Sequence, residues 1–294
     1  MENNTGVHEQ RQVSLLGGNL VIQEWGPENA PVIVCLHGWL DNMASFYPLA
    51  NKLSSRFRLI LVDLPGHGQS EPLLEGGHYY IWHNVEVLHQ LLQQLKLTKV
   101  HLLGHSMGGV VASLFAGSFS ESIESLTLLD SLGPVVDASE DTPKQLAKAI
   151  LDGQRQVSPL RVFPTINDAL LARKKSSPGM SDAALGPIVE RNLTAVDGGY
   201  TWATDNRLRH QSKVRLSEDQ VKAFFTEISV PVLLMVAEQG ILPASWLQQR
   251  IPYLSNIQKV SIAGHHHFHA ECAGAEMGAK EIEHFLTVVA NDHE

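Results

Sequence analysis

Apolar positions along the chain follow two rhythms. Short, β-branched-rich runs occupy residues 13–16, 20–25, 31–36, 57–62, 99–103, 123–129, 230–237 and 258–262. Longer stretches between them carry apolar residues at helical spacing. In residues 78–95 these are Ile81, Val85, Leu88, Leu91, Leu92 and Leu95, and residues 107–119 and 275–289 behave alike. Runs of the first kind are strands buried on both faces, and the second kind are helices packed against them. The alternation predicts an α/β domain, a mostly parallel sheet with helices on both faces, opened by a hairpin across Gly17-Gly18-Asn19.

The rhythm breaks over residues 131–228. Helix-start signals recur there without strand runs: Thr142-Pro143 as cap and first-turn proline, Ser181-Asp182, and the capping box Ser217-Glu218-Asp219-Gln220. This segment is expected to be a helical cap inserted above the sheet's C-terminal edge. Residues 1–130 and 229–294 then form the core.

A length of 294 residues and a 44% hydrophobic fraction fit one α/β domain with an insertion. Acidic residues outnumber basic ones 31 to 22, a formal charge of −9, and no Lys/Arg cluster is expected to offset it. That balance argues against nucleic-acid and anionic-membrane partners. Residues Met1 to Arg11 lack the layout of a signal peptide, and no apolar run reaches the ~18 residues of a membrane span. Cys35 and Cys272 lie far apart and are expected as free thiols. The expectation is a cytoplasmic protein acting on a small molecule, its oligomeric state left open.

Three motifs sit at strand ends. Gly104-His105-Ser106-Met107-Gly108-Gly109 follows an apolar run and opens a helix. Small neighbours allow a sharp turn that projects the serine, and the helix start offers N–H groups to an oxyanion. His37-Gly38-Trp39 ends an earlier strand, where the Trp39 N–H can serve as a first oxyanion donor and the Met107 N–H as a second. Gly264-His265-His266-His267-Phe268-His269 follows the last strand. No H-E-x-x-H, cysteine pair or second His cluster accompanies it, so one of these histidines is expected to be a general base for Ser106, with no metal and no cofactor. The turn from Asp63 to Ser70 has no phosphate-loop pattern and is assigned no chemistry; His67 is expected to be structural.

Together these motifs resemble the α/β-hydrolase superfamily. Within it, His37-Gly-Trp-Leu-Asp-Asn42 and Gly198-Gly-Tyr-Thr-Trp-Ala-Thr-Asp-Asn-Arg-Leu-Arg209 resemble the serine-hydrolase-like, kraken-type family. The resemblance implies an α/β-hydrolase fold, Ser106 as nucleophile, and the Trp39 and Met107 amides as oxyanion hole. The late G-x-H-x-x-H motif makes His266 the base and His269 a structural neighbour. It also implies that the 131–228 insertion is a cap over the site. Apolar residues such as Leu146, Ile150, Leu151, Leu170, Leu171, Ile188, Phe224 and Phe225 are read either as its roof or as its own core.

One position departs from the pattern. The superfamily places an acid where this chain has Gly240, after Ala237-Glu238-Gln239. Asp130 ends the run 123–129, a strand expected beside the nucleophile's own, ~4.8 Å away, which brings its carboxylate within reach of His266. Glu238 is the rival, two residues early. The expected function is a carboxylesterase-type serine hydrolase cleaving a small or medium apolar ester through an acyl-enzyme. The alternatives are a ligand-binding or nearly inactive protein on this scaffold, or a carbon–carbon bond hydrolase with the same triad.

Overall fold

The computed structural model of the protein describes residues 9–154 and 160–291. Of the polar N-terminus considered above, residues 1–8 lie outside the described residues. Eight strands form one sheet: β1 (Glu9–Leu15), β2 (Gly18–Trp25), β3 (Val32–Leu36), β4 (Arg58–Val62), β5 (Val100–His105), β6 (Ile123–Leu129), β9 (Val232–Gln239) and β10 (Ile257–His265). Their spatial order is β1-β2-β4-β3-β5-β6-β9-β10. β1 and β2 pair antiparallel, β2 runs antiparallel to β4, and every later pair is parallel.

Alternate residues of each central strand enter opposite cores. Val34 and Leu36 of β3 pack with Val87 and Leu91 of α2 (Ile81–Gln94), Val111 of α3 (Met107–Ser118) and Phe225 of α7 (Glu218–Thr226). Ile33 and Cys35 face Leu49 of α1 (Tyr47–Leu53) and Ile282 of α9 (Cys272–Asn291). Both faces being covered explains the uninterrupted apolar runs. It also explains Cys35: it is free and fully buried, and burial pushes its thiol up from the usual range. Cys272 is free and exposed. No described helix is long and apolar enough to cross a membrane.

The insertion corrects one expectation, because it is not free of strands. β7 (Leu193–Val196) and β8 (Gly199–Trp202) form a hairpin, and Phe163 bridges to Tyr200. The two strands are joined by Asp197-Gly198, with Gly198 at φ +84°. That dipeptide is a two-residue hairpin signal. Its α-helices are α4 (Thr142–Gly153), α5 (Ile166–Ser176), α6 (Asp182–Arg191) and α7, joined by loops. Ser181 and Ser217 cap α6 and α7 through their side chains, whereas Thr142 is the first residue of α4 rather than its cap. α8 (Ala244–Arg250) follows β9.

Four contacts seat the insertion on the loops after β3 and β4. Arg191 Nε donates to Asp63 Oδ2 at 2.9 Å, and Arg173 Nη2 to Asp41 Oδ1 at 2.6 Å. Asn42 Nδ2 donates to the Ile188 carbonyl at 2.8 Å, and Trp39 Nε1 to the Leu208 carbonyl at 3.0 Å. Both aspartates are fully buried. The segment His37–Asn42 is thus the seat of the insertion as well as the rim of the site.

Candidate active site

Ser106 stands between β5 and α3 with φ +50° and ψ −116°. No ordinary side chain chooses this conformation, and it persists only where the surroundings over-determine it. Here they do. A Cβ on Gly108 would lie 1.9 Å from the Leu36 carbonyl oxygen, so α3 can sit this close to β3 only through that glycine. The Ser106 N–H donates to the Leu129 carbonyl at 3.2 Å, tying the turn to the next strand. Four non-glycine residues among the described ones have positive φ; Ser106, Asp130 and Leu40 stand at this edge, and Lys96 ends α2.

Strand register brings the acid to the same level. His105 pairs with Leu129, and Leu129 with Met235, so Ser106 and Asp130 leave adjacent strands side by side. Asp130 Oδ2 accepts from His266 Nδ1 at 2.7 Å and from the Ile241 amide at 2.9 Å, and Oδ1 accepts from the Ala237 amide at 3.2 Å. A Cβ on Gly240 would lie 2.3 Å from Asp130 Oδ1. Asp130 therefore fills the space where a side chain at position 240 would stand. Glu238 lies on the exposed end of β9 and takes no part.

The remaining histidines separate by partner. His267 Nε2 lies 3.0 Å from Asp41 Oδ2, and His265 Nε2 lies 3.5 Å from Glu271 Oε1. His105 is fully buried, its Nε2 2.9 Å from the His266 carbonyl, and its ring is 4.5 Å from that of His266 and 4.2 Å from that of His269. Burial first, then the neighbouring imidazoles, holds His105 and His269 well below the ordinary histidine range, so both are neutral. The sequence reading missed His105 altogether, although it stands inside the G-x-S-x-G motif. Asp41, His105 and His267 bring ligand-type atoms within 4.8 Å of one another. Asp41 Oδ1 accepts from Arg173, and its Oδ2 lies 3.0 Å from His267 Nε2.

On the oxyanion side, Met107 is the first residue of α3, whose N–H groups lack intrahelical partners. Trp39 lies in a turn closed by Asp41 N to Gly38 O at 3.2 Å, with Leu40 at φ +58°. His37, unassigned in the sequence reading, pins this turn: Nδ1 lies 2.8 Å from the Gly38 carbonyl while Nε2 accepts the Leu64 amide at 3.0 Å. Burial pushes it down to about 4, which keeps the ring neutral for that double role. His67 contacts the ring of His37 and the Pro65 carbonyl and is likewise buried.

A cavity of about 510 Å³ opens beside these residues, lined by Ser106, Met107, Asp130, Leu132, Val214, Leu216, Leu242 and Trp246 among others. None of the eight apolar residues read as a possible roof lines it; Ile188 and Phe225 are buried inside, and Leu151 and Leu171 face out. The insertion contributes residues 131–135 at its start and Ser212, Val214, Arg215 and Leu216 near its end instead, and the β9–α8 loop contributes Ile241, Leu242 and Pro243.

Residues 31–242 match the family described as alpha/beta hydrolase fold. A serine hydrolase-like protein of Danio rerio is 28% identical over 270 residues, covering 86% of this chain and 81% of its own length. Serine hydrolase-like protein 2 of Homo sapiens is 29% identical over 242 residues, covering 80% of this chain and 77% of its own. The crystal structure of a hypothetical protein from Pseudomonas aeruginosa PAO1 superposes with a TM-score of 0.89 at 32% identity, over 95% of this chain and 99% of that one.

Proposed function

The chain belongs to the alpha/beta hydrolase fold family, and from that premise we propose that it is a serine hydrolase of the carboxylesterase type, acting on a small or medium apolar ester. The observation that carries the reading is the Asp130–His266 pair at 2.7 Å, standing level with the strained Ser106 at one end of the sheet. With Nδ1–H given to Asp130, His266 keeps its Nε2 lone pair free to take the Ser106 proton. Ser106 Oγ attacks the carbonyl carbon, and the Trp39 and Met107 amides hold the oxyanion. His266 then protonates the departing alcohol, and water hydrolyses the acyl-enzyme by the same path in reverse.

The alternative of a binding or nearly inactive protein drew on the absence of an acid at position 240, and a carboxylate occupies that space from Asp130. The insertion acts in this reading as a cap that selects the acyl chain, since Val214 and Leu216 line the cavity with Ser106. The test is a graded ester panel beside fluorophosphonate labelling. Ser106→Ala should abolish labelling and lower kcat by a factor on the order of 10⁶. His266→Ala should approach that defect, while His267→Ala keeps most turnover. Labelling undiminished in Ser106→Ala overturns the assignment.

A further inference from the structure

A second cavity of about 370 Å³ adjoins the first, and the two share Ile81, Met107, Ser212 and Arg215. Its chemistry is different. Ser106 lines only the first, largely apolar cavity, whereas Trp39, Arg209 and His210 line only the second, and Arg215 stands between them. Residues 207–215 hold Arg207, Arg209, His210, Lys213 and Arg215 without one acid, contrary to the expectation of a chain without basic clusters. Asp205 matches Arg207 and Asp137 matches Arg215, while Arg209 lies exposed on the cavity wall. Lys213 Nζ lies 2.8 Å from His78 Nε2, on the same side. Burial first, then the charges of Lys213, His210 and Arg207, hold His78 below its ordinary range.

Resting on the serine-hydrolase reading above, we propose that the preferred substrate is an acyl ester or thioester whose leaving group carries an anion, a phosphate above all, held in this basic arm. The acyl chain becomes attached to Ser106 and so must stay in the cavity that Ser106 lines, which is apolar. An anion placed there would lose water against mostly apolar walls, where the one cation among the described lining residues, Arg215, is already matched by Asp137. The two arms meet at Met107, the amide assigned to the oxyanion, so the scissile carbonyl lies at their junction. For a thioester the step balances simply. The Ser106 oxygen forms a bond to the acyl carbon, the C–S bond breaks, and the thiol leaves with the proton that His266 took from Ser106. Water then releases the carboxylic acid.

The experiment compares octanoyl-coenzyme A with octanoyl-N-acetylcysteamine, which share the acyl group and differ in leaving-group charge. Monomethyl suberate and methyl octanoate form a second pair, with the charge moved to the acyl end. The coenzyme A thioester should show kcat/KM at least tenfold above its neutral partner at low salt, about the worth of one charged contact. The advantage should shrink in 0.5 M NaCl, and Arg209→Ala should lower kcat/KM for the coenzyme A thioester more than for the neutral one, narrowing the ratio. Titration calorimetry on Ser106→Ala reads the same preference as binding, without needing turnover. Equal kcat/KM and equal binding for the two thioesters overturns the proposal, and so does a preference for monomethyl suberate over methyl octanoate alone. Loss of fluorophosphonate labelling and of all turnover in the wild type would instead overturn the serine-hydrolase reading, with the binding comparison still deciding this one.

Discussion

A Cβ built on Gly240 would lie 2.3 Å from Oδ1 of Asp130 and 2.4 Å from Oδ2, so the two positions compete for one volume. Gly240→Ala should therefore push the Asp130 carboxylate off His266 Nδ1. The fold should survive, because Gly240 sits in an exposed turn after β9. The catalytic reading then makes a firm demand. Gly240→Ala should lower kcat toward the level of Asp130→Asn, ~10⁴ below wild type by analogy with the protease triad, with KM little changed. The combination Asp130→Gly with Gly240→Asp should recover part of the loss, since it returns a carboxylate to that volume from the neighbouring position. Wild-type turnover in Gly240→Ala would show that Asp130 does not act through His266. Asp130 was legible as a strand-end acid beside the nucleophile's strand. What local sequence lacks is the reason for the glycine, because the contact joins residues 110 positions apart and appears only when β6 and β9 pair.

At the scale of elements, the insertion is held by buried and exposed charges that differ in worth. Arg191 of α6 is almost fully buried against Asp63, and the Lys174–Asp182 pair between α5 and α6 is exposed on both sides. Removing one partner of a buried pair leaves a charge without compensation, at a cost of about 3–5 kcal/mol. An exposed pair is worth about 0–1 kcal/mol. Urea unfolding should thus place Arg191→Leu far below wild type and Lys174→Gln within about 1 kcal/mol of it; similar values for both would mean that Asp63 is satisfied without the guanidinium. The elements themselves were unequally legible. The central sheet strands announced themselves because burial on both faces leaves continuous apolar runs, as in Val32–Leu36, whereas the edge strands β1 and β10 are largely exposed and showed only their apolar stretches. β7 and β8 did not, being four residues each and half-exposed, so that neither a run nor an alternation marks them, and only Asp197-Gly198 could have betrayed them. The cavity wall was missed for a related reason: Val214, Leu216 and Leu242 lie in loops, where no periodicity distinguishes a lining residue from any other.

Among the described residues four histidines, His37, His67, His105 and His269, are fully buried around one end of the sheet. Burial is the leading cause that lowers each: His37 to about 4, His67 to about 3, and the other two well below 6.5. In the unfolded chain all four return to about 6.5. Above that pH neither state binds the extra protons and stability is unaffected. Below it the unfolded chain takes up protons that the folded protein refuses, so stability falls with pH, and for His37 and His67 the fall continues until about 4 and about 3. Between pH 7 and 5.5 His37 and His67 each forfeit roughly 1.3 kcal/mol, and His105 and His269 add to the loss in the same direction. Native proteins hold only ~5–15 kcal/mol in total, so this loss is a sizeable share of the whole. Carboxylates held below their usual range, such as Asp41 and Glu24, add to the loss only at lower pH. Urea midpoints from pH 7 to 5.5 should give a mean slope above about one proton per molecule. His269→Phe, which keeps a ring against Phe46 at a 5.1 Å centroid distance, should make it shallower. A slope of one proton or less would mean that these imidazoles are charged inside the folded protein, and the neutral His37 that pins the Trp39 turn would have to be abandoned with them.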